Sequence, residues 1–260
     1  MAKTFTKEET IKKKKESIKT LNNLLESYIN STDEKYLKKA SIISKWISQY
    51  SNYIYFEEHF NPKQNISYSR GDIIFVNFGF NVGAELGGEH YAVVLDKESN
   101  HKSSTLTVVP LTSHKPDKNV HPNDLFLGNE LYEKLKLKLK TRLQPLNEQN
   151  KQCKLMLGII REKMRELGDL AENDIELLTM VSQLEEDSAR LEEEIANIMK
   201  IKDEILSLKL GSVAKIKQIT TISKIRIYNP KKSTDPLYGI HYTEETMDKI
   251  NNKIKELYVF

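Results

Sequence analysis

Hydrophobic and polar positions along the first part of the chain follow the period of amphipathic helices. Apolar residues recur every three or four positions through residues 11–29, among many lysines. A polar break follows, in which Ser31 or Thr32 is expected to cap the next helix. A second apolar face then extends to Ile54. The pattern predicts an N-terminal helical hairpin over residues 1–66.

The pattern then changes to one typical of strands and turns. Five of the ten glycines fall between residues 71 and 88, and none precedes them. Runs rich in β-branched and aromatic residues occupy 70–80, 90–96 and 105–113, with a shorter run at 123–127. Strands this close together, without a helix between them, favour antiparallel pairing in a small barrel or curled sheet.

Residues 128–209 return to helical periodicity, with two apolar seams that step by four and three residues, the earlier one starting at Cys153. Residues 130–165 hold 10 basic and 4 acidic residues, a net charge of +6, whereas residues 166–209 hold 4 basic and 13 acidic residues, a net charge of −9. Opposite charges favour an antiparallel hairpin that turns near residues 168–174. A single long coiled coil that pairs between two chains is the alternative.

A strand pattern returns after the helical segment. Residues 212–227 are long enough for two strands or for one long bent strand. A helix with Thr243 as its cap follows. Because strands flank the helices, we predict one β-domain made of residues 67–127 and 210–260, interrupted by an inserted helical hairpin or coiled coil at 128–209.

Composition narrows the class of protein. The 260 residues include 40 basic and 37 acidic side chains, and a net charge of +3 is too balanced to indicate nucleic-acid binding by itself. No apolar run approaches the ~20 residues that cross a bilayer, and no apolar stretch typical of a secretory signal follows the first charges. The single cysteine, Cys153, cannot form an internal disulfide. We therefore expect a cytoplasmic protein without a membrane partner.

The β-rich segments resemble the MazF/PemK family of toxin endoribonucleases. Residues 70–96, RGDIIFVNFGFNVGAELGGEHYAVVLD, are similar to the family's Arg-Gly-Asp strand, Gly-x-Glu-x-Gly-Gly loop and hydrophobic strand. Residues 105–113, TLTVVPLTS, are similar to the strand that ends in a Thr-Ser-type segment. Residues 212–227, SVAKIKQITTISKIRI, are similar to a later run that reaches Gln-Ile-Arg-Thr-Ile. The resemblance covers residues 69–127 and 210–260.

This resemblance implies an α+β fold built on an SH3-like small β-barrel. It also implies an endoribonuclease of a type II toxin–antitoxin system that cleaves single-stranded RNA (mRNA) without a metal, leaving a 2′,3′-cyclic phosphate and a 5′-OH. Its implied partners are the RNA, a cognate antitoxin protein and a second copy in a homodimer. The sequence contains no CxxC, HExxH or phosphate-binding glycine loop, so we predict neither a metal nor another cofactor.

The resemblance also implies a set of catalytic residues. The family's catalytic arginine, which follows the Gly-Gly loop, corresponds to His90, and the usual next proline is Tyr91. The family's catalytic threonine corresponds to Thr112, with Ser113 beside it. Metal-free RNA cleavage needs a base, an acid and positive charge at the phosphorane, and a histidine near neutral pH can serve in any of these roles. We predict catalytic roles for His90, Thr112 and Ser113.

Further residues are predicted RNA contacts because they lie in the loop after the first strand or in other loops and strands of the resemblance. They are Arg70, Glu85, Gly87, Gly88, His114, Lys115 and Gln218. His101 and Lys102 lie in a loop beside the same strands, where their charges could hold phosphates.

The histidine at the arginine position leaves a second hypothesis open. The chain would then be a catalytically degenerate MazF-like module that binds RNA, DNA or a protein partner in a regulatory or defence role, since fold alone does not decide activity. For the helical insertion we expect a dimerisation or partner-binding arm. The alternative is that its acidic clusters at residues 185–187 and 192–194 imitate RNA and occupy a basic groove.

Overall fold

The computed structural model describes residues 5–99, 103–168, 174–207 and 211–259. These residues divide into two compact units. The first unit comprises the chain up to Phe60 together with the loop Phe78–Gly88. The second unit comprises Asn61–Asn77 and the chain from Glu89 onward.

The first unit contains the predicted N-terminal helical hairpin. Its helices are α1 (Lys7–Ile29) and α2 (Glu34–Glu57). The cap of α2 is Asp33 rather than Ser31 or Thr32, because the Asp33 carboxylate accepts a hydrogen bond from the first-turn N–H of Lys35 at 3.0 Å. The Ser31 hydroxyl accepts from the N–H of Asp33 instead.

The core of this hairpin is small. No residue of α1 is buried, and in α2 only Ala40 and Ile43 are buried. Ile18 and Leu37, which belong to the two predicted apolar faces, are 59% and 52% exposed. The helical period therefore predicted the helices correctly, but little of their apolar surface is buried within this unit.

The second unit is built on antiparallel strands. They are β1 (Tyr68–Ser69), β2 (Ile73–Asn77), β3 (Glu89–Val94), β4 (Glu98–Ser99), β5 (Thr105–Ser113), β6 (Leu125–Gly128), β7 (Ser212–Ala214), β8 (Thr220–Ser223) and β9 (Ile227–Asn229). β1 pairs with β4, and the larger sheet has the order β6-β7-β5-β3-β2-β9, with β8 also paired to β5. The four strand runs predicted between residues 70 and 127 are thus confirmed as β2, β3, β5 and β6.

The α+β class is confirmed, but the larger sheet is open, which corrects the predicted closed barrel. Among the described residues the outer strands β6 and β9 do not pair with each other. β5 is the central strand, with β3 on one edge and both β8 and β7 on the other. The sheet therefore extends from both edges of β5 and does not close into a barrel.

Residues 212–227 do not form the predicted two strands or single bent strand. Along β5, two residues lie between Val108, opposite Thr220, and Leu111, opposite Ala214. The partner segment has five residues between Ala214 and Thr220, and the extra three form the 3-10 turn Ile216–Gln218. A second 3-10 turn, Lys224–Arg226, leads into β9, so this segment contributes to three short strands.

The helical segment folds back on itself as the charge pattern predicted. The helices of this unit are α3 (Glu130–Leu167), α4 (Ile175–Ser207) and α5 (Glu244–Tyr258). Two ion pairs join the helices, Lys154–Glu192 (2.7 Å) and Arg161–Glu185 (2.8 Å). The later residue of α3 pairs with the earlier residue of α4, so the two helices are antiparallel. Cys153 is buried on this seam, and its thiol donates to the carbonyl of Leu184 at 3.3 Å.

The base of this hairpin belongs to the core of the sheet. One cluster of buried side chains contains α3, α4, α5 and strand residues together: Ile73, Val93, Val109, Leu111, Leu127, Leu131, Leu135, Leu146, Ile198, Ala214, Ile216, Leu237, Ile240, Tyr242, Met247 and Ile250. Leu131 and Leu135 on α3 are 2% and 0% exposed. The helical insertion is therefore packed into the β-domain at its base, and only its distal part projects from that core.

Glu130 joins the start of α3 to the start of α5. Thr243 caps α5 as predicted, accepting from the N–H of Thr246. The Glu130 carboxylate accepts from the N–H of Thr243 at 2.7 Å and from the Thr246 hydroxyl, and it pairs with Lys134 at 2.9 Å. Burial raises the pKa of Glu130, but these hydrogen bonds and the Lys134 charge outweigh burial, so the net pKa lies below its ordinary value.

We expect Leu135→Ala to lower the free energy of unfolding by about 2–5 kcal/mol, because it opens a cavity in a core that α3 shares with the sheet. Leu137→Ala is the matched control on the same helix, since Leu137 is 61% exposed, and its effect should stay within about 0.5 kcal/mol. Urea unfolding followed by circular dichroism measures both. Equal effects of the two substitutions would show that the base of α3 is not part of this core.

We expect Glu130→Gln to lower the free energy of unfolding by about 1.5–3 kcal/mol at neutral pH, because charged hydrogen bonds are lost. The folded-state pKa lies below the unfolded value of about 4.3, so the wild-type advantage is complete above that pH and disappears as the pH falls through the folded pKa. Urea unfolding at a series of acidic pH values measures this, with the exposed Glu133→Gln as control. A difference from wild type that is independent of pH would contradict the assignment.

Candidate functional site

The register of β2, β3 and β5 brings two predicted catalytic residues together. β2 and β3 pair with Val76 opposite His90. β3 and β5 pair with Ala92 opposite Pro110, and the same register continued by two residues sets His90 opposite Thr112. Side chains of directly opposite residues lie on the same face and within reach of each other. The recorded pairing ends at Ala92 and Pro110, so His90 and Thr112 lie two residues beyond it, at the same end of the sheet.

The residues next to this pair point to the other face, because successive side chains of a strand alternate. Phe75 lies opposite Tyr91, and the continued β3–β5 register sets Glu89 opposite Ser113. Ser113 is also directly opposite Ser212 on β7. Of the three predicted catalytic residues, two thus share one face, and Ser113 lies with the hydroxyl of Ser212 and the carboxylate of Glu89 on the other.

A cavity of about 260 Å³ lies where these strand ends meet. The described residues that line it are Phe75, Glu89, His90, Tyr91, Leu111, Thr112, Ser113, Gly211 and Ser212. It contains all three predicted catalytic residues. The other predicted site residues are not among the described residues of this lining.

The loop Phe78–Gly88, which belongs to the first unit, is held by its own backbone. The N–H of Phe78 donates to the carbonyl of Gly88 at 2.8 Å, and the N–H of Gly88 donates back to Gly79. Gly88 has a φ of +88°, and a Cβ on Gly87 would lie 2.7 Å from the carbonyl oxygen of Gly79. The Glu85 carboxylate accepts from the N–H of Val82 at 3.3 Å. Glu85, Gly87 and Gly88 thus each have a role in shaping this loop, and RNA contact by them stays a prediction.

Arg70 and Gln218 lie elsewhere in the second unit. The Arg70 guanidinium donates to the carbonyl of Leu95 and to the side chain of Asn251, so it ties the sheet to α5. Gln218 ends a 3-10 turn, where its N–H donates to the carbonyl of Lys215 at 2.8 Å.

His114 and Lys115 directly follow β5. The N–H of His114 donates to the carbonyl of Gly211 at 2.9 Å, and its imidazole packs on the ring of Phe126 with centroids 4.7 Å apart. A Cβ on Gly211 would come within 2.9 Å of both side chains, so glycine is required there. Lys115 is exposed. His101 and Lys102 lie outside the described residues.

Sequence reasoning missed Phe75, Glu89, Tyr91 and Ser212 as site residues. Each looked like an ordinary strand residue, and only pairing across three strands places them around one cavity. The available signal was the β-strand period, which sets Glu89 and Tyr91 on one face and His90 on the other.

Two further observations concern the described part of the chain. Within it, no three His, Cys, Asp or Glu side chains come together in a group that could hold a metal ion. No helix there combines the length and hydrophobicity needed to cross a membrane.

We expect Gly87→Ala to disturb the loop, because the added Cβ meets backbone that cannot move away without breaking the hydrogen bonds that close it. Hydrogen exchange of the Phe78 and Gly88 amides should become faster. Gly158→Ala is the matched control, since a Cβ there meets open space on α3 and alanine favours a helix by about 1 kcal/mol. Unchanged exchange at both amides would contradict the steric argument.

Most of the residues that line the cavity belong to a segment that matches a known family, whereas Gly211 and Ser212 lie outside that segment. Residues 69–155 match the PemK-like, MazF-like toxin family of type II toxin–antitoxin systems. Among curated proteins, none matches the chain. The match runs from β1 through β6 into α3 and includes His90, Thr112 and Ser113, whereas residues 210–260 lie outside it, so their resemblance stays a prediction. Residues 69–155 are therefore similar to the PemK-like, MazF-like toxin family, in agreement with the family that the motifs of this segment predicted.

Proposed function

We propose that this protein is an endoribonuclease toxin that cleaves single-stranded RNA without a metal. The family match supports a toxin–antitoxin role in general. The observation that carries the proposed activity is that His90 and Thr112 both line one cavity at the end of the sheet. An acid–base side chain and a hydroxyl donor side by side are what an RNA transesterification requires.

The reaction we propose needs no water in its cleavage step. The ribose 2′-oxygen forms a bond to the adjacent phosphorus, and its proton passes to a base. The bond from phosphorus to the 5′-oxygen breaks, and an acid supplies a proton to that oxygen. The products are a 2′,3′-cyclic phosphate and a 5′-OH, and the transition state carries extra negative charge on the phosphorane oxygens.

Each member of the pair has a role in this scheme. As a neutral imidazole, His90 accepts the proton of the 2′-hydroxyl, and as the resulting imidazolium it donates that proton to the departing 5′-oxygen. An imidazole can gain and lose a proton near neutral pH, whereas the arginine of the family pattern holds its proton. The imidazolium form also offers positive charge to the phosphorane. The Thr112 hydroxyl donates to a non-bridging phosphate oxygen, because a hydroxyl is a poor base without activation. Ser113, on the opposite face, contacts the substrate rather than the reacting phosphate.

The proposal extends to partners. A cognate antitoxin would block the RNA site, two copies would form a homodimer, and both events would take place in the cytoplasm. The acidic α4 offers less free charge for imitating RNA than its composition suggests, because Glu185 and Glu192 already pair with cations of α3. We therefore assign the projecting part of the hairpin to dimerisation or partner binding.

We expect purified protein to cut a long single-stranded RNA at discrete positions in EDTA, leaving 2′,3′-cyclic phosphate ends. His90→Ala should slow cleavage by about 10²–10⁴-fold, the usual contribution of a positioned acid or base. Thr112→Val should slow it less. The rates are measured by gel analysis of end-labelled RNA, and the end groups by ligation that requires a cyclic phosphate.

Thr105→Val is the matched control for Thr112→Val, because Thr105 is exposed at the far end of the same strand. A substrate with one 2′-deoxy nucleotide at the cut position should resist cleavage there, since the nucleophile is missing. Intact RNA with folded, antitoxin-free protein would overturn the proposal in favour of a binding module. Cleavage that His90→Ala and Thr112→Val leave unchanged would overturn the assigned residues.

A further inference from the structure

The cavity has an aromatic side. Phe75 on β2 and Tyr91 on β3 line it, with ring centroids 5.1 Å apart, and both rings are half-buried against the core. Tyr228 on β9 continues the row at 6.1 Å from Phe75, and its hydroxyl accepts a hydrogen bond from Asn77 at 3.0 Å. Rings held in this way present fixed apolar surface, on which an unstacked nucleobase can stack with roughly tenfold or greater gain in affinity.

The cavity also has a polar side. Glu89, Ser113 and Ser212 line it and share the face of the sheet that carries Phe75 and Tyr91. A carboxylate only accepts hydrogen bonds, whereas a hydroxyl both donates and accepts. Aromatic surface beside a few polar groups is suited to a flat ring with a hydrogen-bonding edge.

Size and position fit a single base. At about 260 Å³ the cavity is just smaller than the ~300–1,000 Å³ typical of sites for drug-sized ligands. Glu89 and Ser113 are the chain neighbours of His90 and Thr112. All four residues line the same cavity, so a base bound by Glu89 and Ser113 has its ribose and phosphate within the cavity that His90 and Thr112 also line.

The carboxylate favours one base over the others. Guanine presents two donors, N1–H and the N2 amino group, side by side on one edge, and a carboxylate accepts both at once. Adenine and cytosine offer the carboxylate an amino group without a second donor beside it, and uracil offers one N–H. Bidentate pairing of this kind is the usual source of base discrimination.

We propose that this cavity binds one unstacked guanine of the RNA, stacked on Tyr91 with Phe75 beside it at an interplanar angle of 49° to Tyr91, and paired by its N1–H and N2 amino group to Glu89. The inference rests on the proposed function, because it takes RNA as the ligand, and it adds the base that selects the cleavage position. Glu89 and Tyr91 are binding residues in this assignment and take no part in proton transfer.

The test uses equilibrium binding, which does not depend on cleavage. Short RNAs in which every nucleotide is 2′-O-methyl cannot start the reaction, and they carry one guanine, inosine, adenine, cytosine or uracil in an otherwise constant strand. We expect guanine to bind at least about tenfold more tightly than inosine, which lacks only the N2 amino group. Glu89→Gln should remove that difference, whereas the exposed Glu133→Gln should keep it.

Tyr91→Leu tests the aromatic side. It should weaken binding of all five RNAs by roughly tenfold, with Tyr238→Leu, at an exposed tyrosine, as the matched control. Equal affinities for guanine and inosine in wild-type protein would overturn the role of Glu89. Unchanged affinities in folded Tyr91→Leu would overturn the stacking site.

Cleavage of unmodified RNA by the same variants separates this inference from the proposed function. Cuts without a guanine at a fixed position beside them would overturn the inference and leave the ribonuclease standing. Guanine-dependent binding without any cleavage would support the cavity assignment while overturning the ribonuclease. Glu89→Gln should change where RNA is cut, and His90→Ala should change only how fast.

Discussion

The antiparallel register between β3 and β5 is the constraint on which the candidate site depends. Extended by two residues past Ala92 and Pro110, it would set His90 opposite Thr112, and strand alternation would put Glu89 and Ser113 on the other face. A slip of one residue would exchange the two faces, because strand side chains alternate with a period of two. The slip is opposed along both edges of β5, since that strand pairs with β3 on one edge and with β7 and β8 on the other. The site is thus held by the most connected strand of the sheet.

The same strand links the site to the helical hairpin. Leu111 lines the cavity and also belongs to the core cluster that contains Leu131 and Leu135 of α3. The hairpin base therefore packs on the residues that form one wall of the cavity. The distal part of the hairpin is joined instead by ion pairs between opposite charges on α3 and α4. A single insertion thus serves both the core and a projecting arm.

Proton transfer and base recognition are proposed for opposite faces of the sheet. Proton exchange is assigned to His90 on one face, and recognition is assigned to Glu89 and Tyr91 on the other. Residues adjacent in the chain can have different roles because successive side chains of a strand point to opposite faces of the sheet. His90 and Tyr91, which stand where the resemblance implies an arginine and a proline, lie on opposite faces of β3, so the two departures affect different faces of the sheet.

Much of the secondary structure was predictable from local pattern. β5 has the bounds that its sequence indicated, and Thr243 caps α5 as expected, because strand period and capping depend on near neighbours. The charge difference between residues 130–165 and 166–209 predicted the fold-back of α3 on α4. The prediction for residues 212–227 was wrong. The 3-10 turn in this segment takes up the residues that have no partner on β5, and β5 is distant in the chain, so local pattern did not indicate the turn.

The sequence by itself indicated most of the helices and strands, the resemblance of residues 69–155 to a toxin family and the candidate residues His90, Thr112 and Ser113. Only the tertiary structure decided that the sheet stays open, that Arg70 binds Asn251, and that Phe75, Glu89 and Ser212 surround one cavity. The reason is physical. Periodicity and capping are set within a few residues, whereas strand order, register and the partners of a long side chain depend on groups brought together from distant parts of the chain.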